Sequence, residues 1–113
     1  RFLRERGYDI LTANYRTRLG EIDIIAADKQ YIAFVEVKTR NDAAIYAPRE
    51  AVTKEKQRRI LRTAARFLQQ HPTPLQPRFD VVEVLTAADD PMKVLEIDHI
   101  QGAYEAGDLQ HAF

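Results

Sequence analysis

Two neighbouring apolar segments, residues 20–28 and 31–40, contain charged side chains, and this combination constrains the fold more than any other feature of the chain. Residues 31–37 are rich in Val, Ile, Phe and Tyr in a run too short for a buried helix, which predicts a strand. A strand this apolar belongs in the centre of a sheet, where an ionised carboxylate is unfavourable without a compensating partner. Yet Glu36 and Lys38 lie two residues apart, hence on one face of that strand, and Asp23 repeats the pattern in the preceding segment.

The short connection at residues 28–30 predicts that these two strands form an antiparallel hairpin. If its last two residues form the loop, Asp23 lies opposite Glu36, and Glu21 lies opposite Lys38, all on one side of the sheet. Two opposed carboxylates lie roughly 5 Å apart at Cβ and repel each other without a cation. Because Mg²⁺ is commonly held by one or two carboxylates with water and substrate phosphate, this register predicts a metal site. A loop longer by one residue would place the two acids on opposite faces and remove the site. The alternative interpretation is an amphipathic hairpin with a solvated face and cross-strand ion pairs.

The length of 113 residues predicts one domain, residues 1–113, with a single core. The absence of Cys excludes disulfides and thiolate metal sites. No apolar run approaches the roughly 20 residues of a membrane span and no signal peptide is visible, so we expect a soluble cytoplasmic protein without a membrane partner. The chain begins at Arg1 rather than Met, as expected of a sequence that lacks its natural N-terminal residues.

The order of predicted elements indicates an α/β fold, with a mixed sheet of about five strands flanked by helices. Strands are expected at residues 8–16, 20–28, 31–40, 79–85 and 93–97. Residues 1–6 are expected to be the end of a helix, residues 49–70 the one long helix, and residues 99–105 a short terminal helix. Residues 41–48 are expected to be a loop.

The long helix carries a basic stripe as well as an apolar face. The stripe consists of cations four residues apart, with two more beside it: Lys54, Arg58, Arg62, Arg66, Lys56 and Arg59. Residues 1–66 hold 15 Lys and Arg against 9 Asp and Glu, whereas residues 67–113 hold 2 against 8. A stripe of this kind suits a phosphate backbone, since each contact releases counterions. The alternative is a solvated helix surface, for which Arg and Lys are good helix formers.

The three histidines, at positions 71, 99 and 111, have no metal-ligand spacing and are interpreted as structural or surface residues. The sequence has no Gly-rich phosphate loop, no supported Ser-His-Asp set and no aromatic platform for stacking bases. We therefore expect no small-molecule cofactor.

An Asp on one strand, Glu-x-Lys on the next and a following basic helix resemble the PD-(D/E)xK nuclease superfamily. The closer resemblance is to the YraN-like family of predicted endonucleases, bacterial proteins distantly similar to archaeal Holliday junction resolvases. It covers nearly the whole chain and is carried by short motifs in a fixed order. These are RGY at 6–8, NYR at 14–16, GEID at 20–23, FVEVKTR at 34–40, AV at 51–52, Lys54, Lys56, Arg59, and RFDV at 78–81. Ile22 stands where the superfamily motif has Pro.

The resemblance implies a restriction-endonuclease-like fold and a metal-dependent nuclease. Asp23 and Glu36 would be ligands of Mg²⁺ or Mn²⁺, with the Val37 carbonyl as a third ligand. Lys38 would orient or activate the attacking water and offset charge in the transition state. The nucleic-acid contacts would come from Arg40 and from the helix residues Lys54, Lys56, Gln57, Arg58, Arg59 and Arg62.

Three hypotheses follow for the function. The first is a metal-dependent endonuclease acting on DNA, in particular on structured or branched DNA. The second is a non-catalytic nucleic-acid-binding module that has the same fold and the basic helix. The third is a protein-interaction domain, in which the acidic C-terminal half of one chain docks on the basic helix of another and forms a homodimer.

Overall fold

The computed structural model describes residues 1–42 and 52–105. In these ranges the elements are α1 (Phe2–Glu5), β1 (Asp9–Thr17), β2 (Gly20–Ala27), β3 (Tyr31–Asn41), α2 (Lys54–Gln70), β4 (Gln76–Ala87) and β5 (Asp90–Tyr104). The strands form one sheet in the order β1-β2-β3-β4-β5. Only β3 and β4 run parallel, because α2 connects them as a crossover, and the other pairs are antiparallel. The predicted α/β fold with a mixed five-stranded sheet is confirmed.

The hairpin between β2 and β3 has the predicted register. Ile24 pairs with Val35 and Ile25 with Phe34, and continuing this register brings Asp23 opposite Glu36. The loop sequence Lys-Gln is not a favoured hairpin turn, but Asp28 stabilises it by an Asx turn. Its Oδ1 accepts hydrogen bonds from the backbone N–H of Gln30 (2.8 Å) and Tyr31 (2.7 Å). These bonds, that from Tyr31 first, lower the pKa of Asp28 below its usual value.

At the end of the hairpin away from its turn, β2 and β3 are no longer paired. The ladder between β2 and β3 ends at Ile24 and Val35, so the predicted opposition of Glu21 and Lys38 lies beyond the paired residues and stays a prediction. Glu21 forms an ion pair of 3.1 Å with Arg16 of β1.

The pairing of β1 with β2 is interrupted at the level of Asp23. Asn14 has a φ of 54°, a left-handed conformation that Asn tolerates better than most residues. Neither Asn14 nor Asp23 takes part in the register that pairs Ala13 with Ile24 and Tyr15 with Ile22. As a result Ile22 packs on the same side of the sheet as Ile25, three residues away, instead of alternating with it. Asp23 is therefore not part of the ladder between the two strands.

Helix α2 packs on one face of the sheet, and its N-terminus lies next to the carboxylates. Thr53 caps it, accepting a hydrogen bond of 3.2 Å from the Lys56 N–H. The buried face of the helix contains Ile60, Leu61, Ala64 and Phe67, which contact Phe34 and other side chains of the sheet. The predicted helix began at residue 49; its residues 49–51 and the loop at 43–48 lie outside the described residues.

The opposite face of the sheet holds a buried polar cluster under α1, which we call the Asp80 cluster (Tyr8, Arg78, Asp80 and His99). Asp80 is 0% exposed. Arg78 donates to it from Nε (2.9 Å) and Nη2 (2.8 Å), and also donates to the Tyr8 hydroxyl. His99 Nε2 lies 2.8 Å from Asp80, and the Gly102 N–H donates to Asp80 over 2.9 Å. The interpretation of His99 as structural is therefore confirmed.

The C-terminal part of the sequence contains one wrong prediction. Residues 99–105 were expected to form a short helix, but residues up to Tyr104 continue β5. The strand persists because Val82 pairs with His99 and Phe79 with Tyr104 along β4. Tertiary pairing overrides an ambiguous local pattern here.

Candidate metal and nucleic-acid site

The two predicted metal-binding carboxylates lie in one small cavity where β2 and β3 separate, next to the start of α2. The cavity has a volume of about 60 Å³ and is lined by Glu21, Ile22, Asp23, Val35, Glu36, Lys56 and Ile60. The structure therefore brings Asp23 and Glu36 together. A helix N-terminus near paired carboxylates also provides a positive electrostatic contribution at the site.

Asp23 is held in place by the backbone of β3. Its Oδ2 accepts a hydrogen bond of 2.8 Å from the Val37 N–H. This bond takes the position of a strand-to-strand hydrogen bond, since the backbone pairing ends at Val35. In an extended strand the N–H and C=O of one residue point to the same side. The Val37 carbonyl, the third ligand implied by the family resemblance, is therefore directed towards the same side as Asp23.

Glu36 is almost completely buried, with a side-chain exposure of 10%. Its Oε1 forms an ion pair with Lys56 Nζ, whose side chain is 48% exposed. Its Oε2 is buried and has no hydrogen-bond partner among the described residues. Leaving a buried carboxylate oxygen unpaired is unfavourable. This oxygen is the clearest sign that the site lacks a group that would satisfy it.

Lys38 and Arg40 follow Glu36 on the same face of β3, because the parallel pairing with β4 continues without a bulge. Lys38 is partly buried and is not among the residues that line the cavity. Arg40 is only 17% exposed and lies 4.0 Å from Glu83 of β4. The cation that forms an ion pair with Glu36 is Lys56 of the helix. The sequence predicted Lys56 as a nucleic-acid contact but did not indicate this pairing.

The cations of α2 fall into two groups. Those of the regular stripe lie on the side of the helix opposite its buried face and are exposed; they are Lys54, Arg58, Arg62 and Arg66. Lys56 and Arg59 lie on the side nearer the sheet: Lys56 reaches Glu36, and the Cβ of Arg59 lies beside Gly20 at the start of β2. Gln57 is turned to the backbone, donating from Nε2 to the Val52 carbonyl over 2.8 Å.

Tyr104 is a neighbour of the site that the sequence did not reveal. It stacks on Phe79, with ring centroids 5.4 Å apart. Burial, and then the negative charges of Glu36 and Asp80, raise the pKa of its phenol above the usual value. The misassigned helix at residues 99–105 hid this residue, because its position depends on the pairing of β5 with β4.

The residues at the site fit a divalent cation that prefers oxygen ligands and needs only one or two carboxylates from the protein. Within residues 1–42 and 52–105, no three His, Cys, Asp or Glu side chains converge on one point. Two carboxylates are nevertheless enough for Mg²⁺, which keeps several waters and completes its shell with substrate phosphate. The unpartnered Glu36 Oε2 and the all-oxygen donor set agree with Mg²⁺ or Mn²⁺.

The mixed five-stranded sheet, the helical crossover and the carboxylates at the open end of a central hairpin define an α/β protein of the restriction-endonuclease-like class. Comparison with known sequences gives the family. The chain belongs to UPF0102, described as an uncharacterised protein family, whose sequence profile matches residues 1–84. The resemblance to the YraN-like family is thereby confirmed at the family level.

Relatives of this family are similar over most of their length. A UPF0102 protein of Chlorobium phaeobacteroides is 44% identical over 107 residues, which cover 91% of this chain and 84% of the relative. One from Acetivibrio thermocellus is 47% identical over 106 residues, covering 91% and 82%. One from Nocardia farcinica is 46% identical over 106 residues, covering 92% and 80%. Among the described residues, no helix is long and apolar enough to cross a membrane.

Proposed function

We propose that this protein is a metal-dependent endonuclease that hydrolyses phosphodiester bonds of DNA, with Asp23 and Glu36 as ligands of Mg²⁺ or Mn²⁺. One observation supports it most: both carboxylates line a single cavity, and the buried Glu36 Oε2 has no partner among the described residues. Most buried carboxylate oxygens are hydrogen-bonded, so an unpartnered one that faces a second carboxylate across a cavity is what a cation-binding site would show.

The residues around the cavity have distinct roles in this proposal. When bound, the cation would polarise the scissile phosphate and lower the pKa of the attacking water. The Val37 N–H fixes Asp23, so that this carboxylate is oriented before metal or substrate arrives. Lys38, on the Glu36 face of β3, orients the water and offsets the negative charge that develops on the phosphate.

DNA as the substrate is supported by the charge of α2. Its exposed cations lie on the side of the helix away from the sheet and therefore extend the contact surface beyond the cavity. Such contacts hold the backbone without reading sequence. The resemblance to Holliday junction resolvases makes branched DNA the first substrate to test.

The test is a cleavage assay on linear duplex, single strands and a four-way junction, with Mg²⁺ and with Mn²⁺. Glu36→Gln and Asp23→Asn should lower the rate by more than the roughly 100-fold typical of losing an outer-shell partner of a metal ligand. Lys38→Met should stop cleavage but leave Mn²⁺ binding intact. Asp9→Asn is the control, because it removes an exposed carboxylate at the far end of the β1–β2 pairing from Asp23.

The outcomes separate the proposed enzyme from the binding module. Cleavage that persists in Glu36→Gln would show that the activity comes from another site or another protein. If the wild type binds DNA but neither cleaves it nor binds Mn²⁺, the protein is a nucleic-acid-binding module with this fold. If it binds no DNA either, the interaction-domain hypothesis remains.

A further inference from the structure

The ion pair between Lys56 and Glu36 occupies the side chain that the proposed function assigns to the metal. Lys56 lies in the first turn of α2, where Thr53 Oγ1 holds its backbone N–H. The helix thus fixes the base of the Lys56 side chain, while the flexible four-methylene stem of this half-exposed side chain leaves its tip able to move. Glu36, by contrast, is buried in the sheet and cannot follow it.

The charges at the cavity explain why Lys56 lies there. Without a metal, Asp23 and Glu36 place two negative charges on one cavity, and Asp23 is compensated by the Val37 N–H. Among the described residues, the Glu36 carboxylate has Lys56 as its ion-pair partner, through one of its two oxygens, while the other has no hydrogen bond. Lys56 is therefore the counter-ion of the metal-free site.

We propose that Lys56 competes with the divalent cation for Glu36, and that metal binding releases Lys56 to a phosphate of the substrate. This inference rests on the proposed function, since it assumes that the carboxylates hold a metal. A divalent ion bound at Glu36 Oε2 would repel the ammonium held at Oε1 of the same carboxylate, so both cannot keep their full interaction. The released side chain lies at the edge of the cavity, where the scissile phosphate would be.

A consequence is that metal and DNA promote each other's binding. A phosphate that attracts Lys56 weakens its pair with Glu36 and thereby frees the metal site. By thermodynamic linkage, if DNA strengthens the binding of metal by some factor, metal must strengthen the binding of DNA by the same factor. Lys56 would keep the cavity from holding a tightly bound metal when no substrate is present.

The experiment measures Mn²⁺ binding to the whole protein without DNA, by the electron paramagnetic resonance signal of free Mn²⁺. Lys56→Gln should tighten Mn²⁺ binding by about fivefold, the upper end of the range for an ion pair with one exposed partner, because the Glu36 side of the pair is buried. Lys54→Gln is the matched control: it removes an exposed cation from the same helical turn that does not contact Glu36. It should change the affinity less than twofold.

A second measurement adds a DNA duplex in the cleavage-deficient Lys38→Met background. DNA should tighten Mn²⁺ binding to this variant, and should do so less when Lys56→Gln is also present. Equal effects of Lys56→Gln and Lys54→Gln without DNA would overturn the inference and leave the proposed function standing. A wild-type protein that binds no Mn²⁺ would instead overturn the metal site itself, and the inference with it.

Discussion

The Asp80 cluster provides the most severe test of how the sheet is held together. Asp80→Asn preserves the shape of the side chain but removes the charge that balances Arg78, which is only 11% exposed. Burial alone would lower the pKa of Arg78, but its hydrogen bonds to Asp80 and Tyr8 raise it above the usual value, so the guanidinium stays charged. Removing one member of a buried charge pair is destabilising by about 3–5 kcal/mol. The free energy of unfolding of a domain is roughly 5–15 kcal/mol, so the Asp80→Asn variant should lose a large part of its stability.

Urea unfolding followed by circular dichroism measures this loss. Asp9→Asn is the control, because Asp9 is exposed, and it should stay within about 0.5 kcal/mol of the wild type. The double variant Asp80→Leu with Arg78→Met replaces both charges by apolar groups and should recover part of the stability lost in Asp80→Asn, since the Gly102 N–H and His99 still lose their acceptor. A loss in Asp80→Asn no larger than that in the control would refute the reasoning, because Arg78 would then not depend on the carboxylate.

Three further predictions concern other parts of the molecule. Because the pKa of Tyr104 is raised in the folded state, its phenol ionises in the unfolded chain first as the pH rises. Above the ordinary pKa of tyrosine this should lower the free energy of unfolding by about 1.4 kcal/mol per pH unit. The Tyr104→Phe variant should therefore lose less stability than the wild type in urea unfolding at alkaline pH. Asp28→Ala should destabilise the protein by about 1–2 kcal/mol in urea unfolding, because two backbone N–H groups lose their acceptor. Replacing three helix cations with Ala should weaken DNA binding and flatten its salt dependence by about one unit of slope per lost phosphate contact; an unchanged salt titration would show that the stripe is only a solvated surface. These cations are Arg58, Arg59 and Arg62.

The sheet and the hairpin register could be predicted because both follow from local periodicity. Strand side chains alternate, so the spacing of Glu36 from Lys38 and the length of the connection at 28–30 were enough to place Asp23 opposite Glu36. The Asx turn of Asp28 is a second signal in the sequence, because an Asp at the start of a short connection commonly accepts hydrogen bonds from the backbone of the turn. It supports the same register independently of the side-chain alternation.

Features that depend on contacts between distant elements could not be predicted in this way. Lys56 lies outside the four-residue spacing of the basic stripe, and only the packing of α2 against β2 directs it to Glu36. The extension of β5 over residues 99–104 depends on β4, and on the Gly102 N–H that bonds to Asp80. In both cases the residue types were compatible with several structures, and the tertiary partner decided between them.

The ending of the β2–β3 ladder links the fold to the proposed chemistry. A central hairpin paired along its whole length would use the Val37 N–H and C=O in strand-to-strand bonds, and two opposed carboxylates would repel each other across it. The end of the ladder avoids this conflict: β2 leaves β3 at Ile24, and Asp23 takes the Val37 N–H. The cavity that both carboxylates line lies where this pairing has ended. Asn14 is therefore expected to matter for the site although it lies on another strand, because its left-handed conformation falls at the unpaired position of β1 opposite Asp23.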